Sequence, residues 1–110
     1  MKTIDFRRNL IWEKYLKYWT TNPVKWNNDG SVTILEGGYG VSIPYTTQLK
    51  KLPFKFDKIN GNADFSGNGL ENLDNFPTYV KNILYVDRTE KITRENIRKI
   101  CNIPGSLVIY

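Results

Sequence analysis

The chain contains no histidine and only one cysteine among its 110 residues. Lacking histidine, it lacks the side chain that most often serves as general base and as metal ligand. The lone Cys101 excludes an internal disulfide and a cysteine-rich zinc cluster, and it fits a reducing compartment. No apolar run approaches the ~20 residues that cross a bilayer, and the N-terminal residues form no signal-peptide pattern. An unexported protein of the cytoplasm is therefore expected. A phosphate loop is absent as well. Gly37-Gly38-Tyr39-Gly40 leads into Val41-Ser42-Ile43-Pro44, a strand pattern, whereas phosphate binding needs a helix to follow. The sequence thus predicts a hairpin of residues 32–34 with residues 41–43. Asp64 and Asp87 have no other catalytic groups around them, so the chain reads as non-enzymatic, without metal or cofactor.

What is present argues for order. Apolar residues make up 40% and aromatics 14% of the chain, too much for a disordered segment. The length suits a single domain over residues 1–110. Within it a period recurs. Ile59, Ala63 and Phe65 stand 21 residues before Val80, Leu84 and Val86. A third copy, Ile103, Leu107 and Ile109, follows at an offset of 23, and Val41 and Ile43 precede Ala63 and Phe65 by 22. Leu49 and Leu52 stand 21 before Leu70 and Leu73. Fixed periods of this length mark stacked repeats whose apolar faces are covered by neighbouring units.

In the clearest unit, Ala63 and Phe65 alternate with polar neighbours, Ser66-Gly67-Asn68-Gly69 turns the chain, and Leu70 and Leu73 return to the core. The nine residues from Phe65 to Leu73 resemble the leucine-rich-repeat-like units of many small proteins of tailed bacteriophages: a strand ending in Ser-x-Asn, then Leu-x-x-Leu, then a proline. The resemblance extends over about residues 26–88. After it, Asp87-Arg88-Thr89-Glu90 lacks both the asparagine and the leucine pair. It implies an α+β fold: a short solenoid with a small, mostly parallel sheet, and a phage origin.

The flanking segments complete that expectation. Residues 3–20 read as a helix, with Thr3 as cap and Asp5 in its first turn. Its apolar residues cover more than one stripe, which predicts contact on two sides. Residues 1–22 would form the helical cap and residues 26–110 the degenerate repeats. A short helix over residues 93–101, capped by Thr93, would bury Ile97, Ile100 and Cys101 on one side before a last strand over residues 106–110.

Two surfaces are candidates for function. Alternation turns Ser42, Asp64, Tyr85 and Val108 outward, flanked by Ile83 on one side and by Asp87 and Tyr110 on the other. Such a row is either covered by the N-terminal helix or forms a binding patch, with Asp64, Ile83, Tyr85, Asp87, Val108 and Tyr110 as its residues. The patch implies a protein partner, and the phage resemblance makes that partner a host bacterial protein, bound and blocked by occlusion. The second candidate is Lys50, Lys51, Lys55 and Lys58 on a connecting loop, with Arg94 and Arg98, in a chain of net charge +5. These would hold phosphates of a nucleic acid.

Overall fold

The computed structural model describes the backbone of residues 3–45 and 48–110, and within these spans the side chains from residue 6 onward. The chain opens with a helix in three runs: α1 (Thr3–Ile11), a π-helical turn (Trp12–Leu16) and α2 (Lys17–Trp19). Strands β1 (Val24–Trp26), β2 (Val32–Ile34), β3 (Gly40–Ser42), β4 (Phe56–Ile59), β5 (Asn62–Asp64), β6 (Tyr79–Val80) and β7 (Ile83–Val86) follow. Helix α3 (Arg94–Ile100) and strand β8 (Ser106–Ile109) close the fold. It is an α+β fold with two small sheets, where the sequence had predicted one. The first sheet is ordered β1-β2-β4-β6 and the second β3-β5-β7-β8.

The periodicity is visible in the pairing. In the second sheet all neighbours are parallel, and Val41 pairs with Ala63, Ala63 with Leu84, and Leu84 with Leu107. All four are buried. Corner asparagines bind backbone carbonyls one period back. Asn62 Nδ2 donates to Tyr39 O, Asn68 Nδ2 to Ile43 O and Asn75 Nδ2 to Leu52 O, over separations of 23, 25 and 23 residues. Asparagine suits these corners because its side chain bonds turning backbone that would otherwise be unpaired. Asn68 Nδ2 also donates to Ser66 O, closing its own turn.

The hairpin expected between residues 32–34 and 41–43 does not form. Instead β2 pairs antiparallel with β1 across the Asn27-Asn28-Asp29-Gly30 turn, where Ser31 donates to Asp29 from both its N–H and its hydroxyl. The glycine-rich residues 36–40 carry the chain from the first sheet to the second. Positive φ at Gly37 and Gly40 allows that crossover. The connecting loop predicted to carry Lys50, Lys51, Lys55 and Lys58 is likewise not one loop, since β4 joins the first sheet from Phe56 to Ile59.

The N-terminal helix packs against one end of the core. Tyr15 and Trp19 place their rings 5.8 and 5.6 Å from that of Phe54, and the Arg8 guanidinium lies 5.8 Å over the Trp26 ring. The π turn lets Ile11 and Leu16, five residues apart, both reach the core. Two-sided contact is not found: Phe6, Leu10 and Tyr18 remain 55, 50 and 67% exposed. The side chains of Thr3, the predicted cap, and Asp5, the predicted first-turn acid, lie outside the described residues. In α3, Ile97 and Cys101 are buried as expected, but Ile100 is exposed, because it falls on the helix's outer side at the last turn.

At that helix the Asn96 N–H donates to Thr93 Oγ1 at 3.2 Å. Replacing Thr93 by alanine is expected to cost about 1 kcal/mol, and serine should restore most of it. Urea denaturation of the three proteins measures the difference.

Candidate functional site

Strands alternate as the pleat requires, so burying Val41, Ala63, Leu84 and Leu107 turns their neighbours outward. The register aligns Ser42 with Asp64, Asp64 with Tyr85, and Tyr85 with Val108, and beside them Ile83 pairs with Ser106. Asp64, Ile83, Tyr85, Asp87 and Val108 are all half-buried, and Tyr110 is exposed. The helix packs on the Phe54 side, so this row keeps its access to solvent. None of the outward positions on β3, β5, β7 and β8, or on their extensions to Ser66, Asp87 and Tyr110, is lysine or arginine.

Aromatic and acidic groups are interleaved on this face. The Tyr85 and Tyr110 rings lie nearly parallel, 12° apart in plane and 6.4 Å between centroids. Asp64 Oδ1 accepts from the Ser66 N–H at 3.1 Å and from its hydroxyl at 2.5 Å. Asp87 Oδ2 accepts from the Gly67 N–H at 2.6 Å. Both carboxylates therefore meet at one turn, each held by a single oxygen. Tyr39, in the turn that precedes β3, lies near enough to this face to feel Asp64, Tyr85 and Tyr110. Burial raises the pKa of its hydroxyl, with further contributions from nearby Asp64, Tyr85 and Tyr110. Its signal in the sequence was position alone: it immediately precedes β3. A groove of about 470 Å³ opens beside it, between Tyr18 and Thr20 on the helix side and Ser42 and Pro44 on the sheet side.

Both edges of this sheet are blunted by side chains. On β3 the Gly40 N–H donates to Asn22 Oδ1 and the Gly40 carbonyl accepts from Thr20 Oγ1. On β8 the Leu107 carbonyl accepts from Arg94 Nη2 at 3.2 Å. Backbone groups occupied in this way are poor templates for a further strand. The face, rather than the edges, is what the sheet offers.

The lysines are found in three settings rather than on one loop. Lys50 and Lys51 are exposed at a corner, where the Lys50 carbonyl accepts from the Glu71 N–H. The Lys55 ammonium donates to the Phe76 carbonyl. Lys58 stands on β4, opposite Tyr79, beside an Asp57 that accepts from Thr78 Oγ1 at 3.3 Å. Of the two arginines predicted to join the lysines, Arg94 is engaged at the sheet edge and Arg98 is exposed on α3.

The remaining chemistry is sparse. Burial pushes the Cys101 thiol up to about 11, so it stays protonated and weakly nucleophilic near neutral pH. Among the described residues no three metal-ligating side chains cluster, and no helix is long and apolar enough to cross a membrane. In comparisons with known proteins the chain matches no family model, no curated protein and no solved structure, which leaves the tyrosine and aspartate face as the strongest pointer to function.

Proposed function

We propose that this chain is a non-enzymatic protein-binding module, a short leucine-rich-repeat-like solenoid that docks a partner on the outward face of its second sheet. The observation that carries the reading is the Tyr85 and Tyr110 ring pair, solvent-accessible and bordered by Asp64 and Asp87. Aromatic side chains held rigidly among polar neighbours supply large contact area at little entropic cost, which is how interaction hot spots are built. Parallel ladders stepping by 21 to 23 residues support the solenoid, as in Ala63 with Leu84 and Leu84 with Leu107. The likeness of Phe65 through Leu73 to phage repeat units supports a phage-encoded protein acting in the cytoplasm of an infected bacterium. Its partner there is a host protein, such as a defence or toxin component, and inhibition is by steric occlusion.

The test is a tagged pulldown from bacterial lysate, with and without nuclease, comparing the native chain with a Tyr85→Ala/Tyr110→Ala variant of unchanged circular dichroism. One stoichiometric protein should be captured by the native chain, survive nuclease and moderate salt, and be lost from the variant. Equal capture by the variant rejects the face. Recovery that disappears with nuclease transfers the function to the dispersed lysines and a nucleic acid.

A further inference from the structure

We propose that the tyrosine and aspartate face recognises arginine, taking the guanidinium of a basic segment of the partner between a tyrosine ring and the two carboxylates. The inference rests on the reading of this face as the docking surface and adds the chemistry of what docks. Its first support is charge complementarity. The chain carries 16 lysines and arginines against 11 acids, yet the outward positions of the second sheet hold two carboxylates and no cation. A face that departs in sign from the rest of the molecule selects partners by charge.

The second support is geometric. Asp64 and Asp87 are already fixed by the Ser66 and Gly67 N–H groups through one oxygen each. Asp64 Oδ2 and Asp87 Oδ1 have no partner among the described residues, so a ligand with several donors meets acceptors whose orientation is set in advance. Beside them the near-parallel Tyr85 and Tyr110 rings offer flat π surface. A guanidinium is the one side-chain group that donates in a planar fork and stacks on an aromatic face at the same time; an ammonium has neither property. Burial is the main cause of the raised pKa of the Tyr39 hydroxyl, and the nearby Asp64 carboxylate adds to it.

Because the net charge is +5, the molecule as a whole repels a basic peptide. Binding of one therefore reports a local site, and added salt, which screens the repulsion as well as the attraction, should weaken it only modestly. The experiment is a nuclear magnetic resonance titration of the isotopically labelled chain with a capped peptide of alternating arginine and glycine. Peptides with citrulline or lysine in place of arginine serve as comparison. The arginine peptide should shift the amides of Asp64, Tyr85, Asp87 and Tyr110. The citrulline and lysine peptides, and the Asp64→Asn/Asp87→Asn variant, should each bind about tenfold more weakly or worse. Asparagine keeps a carbonyl oxygen for the Ser66 and Gly67 N–H groups, so that variant should retain a dispersed spectrum. Equal responses to arginine and citrulline, an unchanged titration in the variant, or no shift on this face overturns the inference. The docking reading is judged separately. A pulldown partner lost with Tyr85→Ala/Tyr110→Ala but kept with Asp64→Asn/Asp87→Asn preserves the docking surface and removes arginine from it.

Discussion

Phe65→Ala is expected to lower the free energy of unfolding by about 3–5 kcal/mol. Phe65 is 1% exposed and follows β5 directly. Its ring stands 5.9 Å from that of Phe56 in the first sheet and 5.4 Å, edge-on, from that of Phe76. Phe56 in turn stands 4.9 Å from Phe54, and Phe54 stands 5.6 Å from Trp19. One line of rings thus runs from the N-terminal helix, past the first sheet, to the second. Cutting it at Phe65 removes two aromatic contacts and leaves a cavity between elements that no direct strand pairing joins. Against a typical total of about 5–15 kcal/mol, that loss brings the chain close to unfolding. Phe65→Leu should cost distinctly less, since it refills most of the volume. Tyr110→Ala, at a position 67% exposed, should stay within about 0.5 kcal/mol of the native chain. Urea titration by circular dichroism measures all three. A Phe65→Ala loss no larger than that of Tyr110→Ala would mean that the ring line does not hold the sheets together.

The same rings explain what the sequence discloses and what it hides. The second sheet was legible because its strands recur at nearly constant spacing and alternate apolar with polar, so Val41, Ala63, Leu84 and Leu107 could be aligned by counting. From that alignment the outward row of Asp64, Tyr85 and Val108 followed by alternation alone. The first sheet is not legible as a layer of its own, for a physical reason. Its strands β2, β4 and β6 are three, four and two residues long, and β2 is buried throughout. The 21-residue step from Ile59 to Val80 does fall across β4 and β6. Each of these strands, however, lies so close to its neighbour in the second sheet that the two read as one segment, and a strand buried on both sides shows no alternation. Strand β4 also begins only one residue after Lys55, so Lys58 read as part of a basic loop. Tyr39 was missed because Gly38 and Gly40 on either side present it as turn chemistry. Its nearness to the site depends on where the crossover delivers the chain, which is long-range information. The solvent access of the face is also invisible to sequence, since only the contacts of Tyr15 and Trp19 with Phe54 reveal which side the helix takes.

That crossover supplies the second large effect. Gly40→Ala is expected to cost about 4 kcal/mol or more, a size that few mechanisms reach, strained backbone among them. Gly40 has a φ of +122°, and a Cβ built on it would lie 2.0 Å from the Asn62 carbonyl oxygen and 2.6 Å from the Asn62 nitrogen. Both are backbone atoms of the paired strand, so no side-chain rotation relieves the overlap. Nor is Gly40 free to withdraw, because Asn22 and Thr20 hold its N–H and carbonyl from the other side. Gly69→Ala is the control. Its φ of +74° carries the left-handed penalty of about 1–2 kcal/mol, but an added Cβ meets nothing within 4 Å. Equal losses at the two positions would show that conformation alone matters and that β3 does not press against β5. A larger loss at Gly40 identifies close strand approach as the constraint, with a consequence for the site. Whatever fraction of Gly40→Ala still folds must push β3 away from Asn62, which takes Ser42 out of register with Asp64 and moves Tyr39 away from the face. Partner capture should therefore fall in Gly40→Ala by more than its unfolded fraction explains, whereas in Gly69→Ala capture should track the folded fraction alone. Parallel measurement of pulldown yield and circular dichroism separates the two.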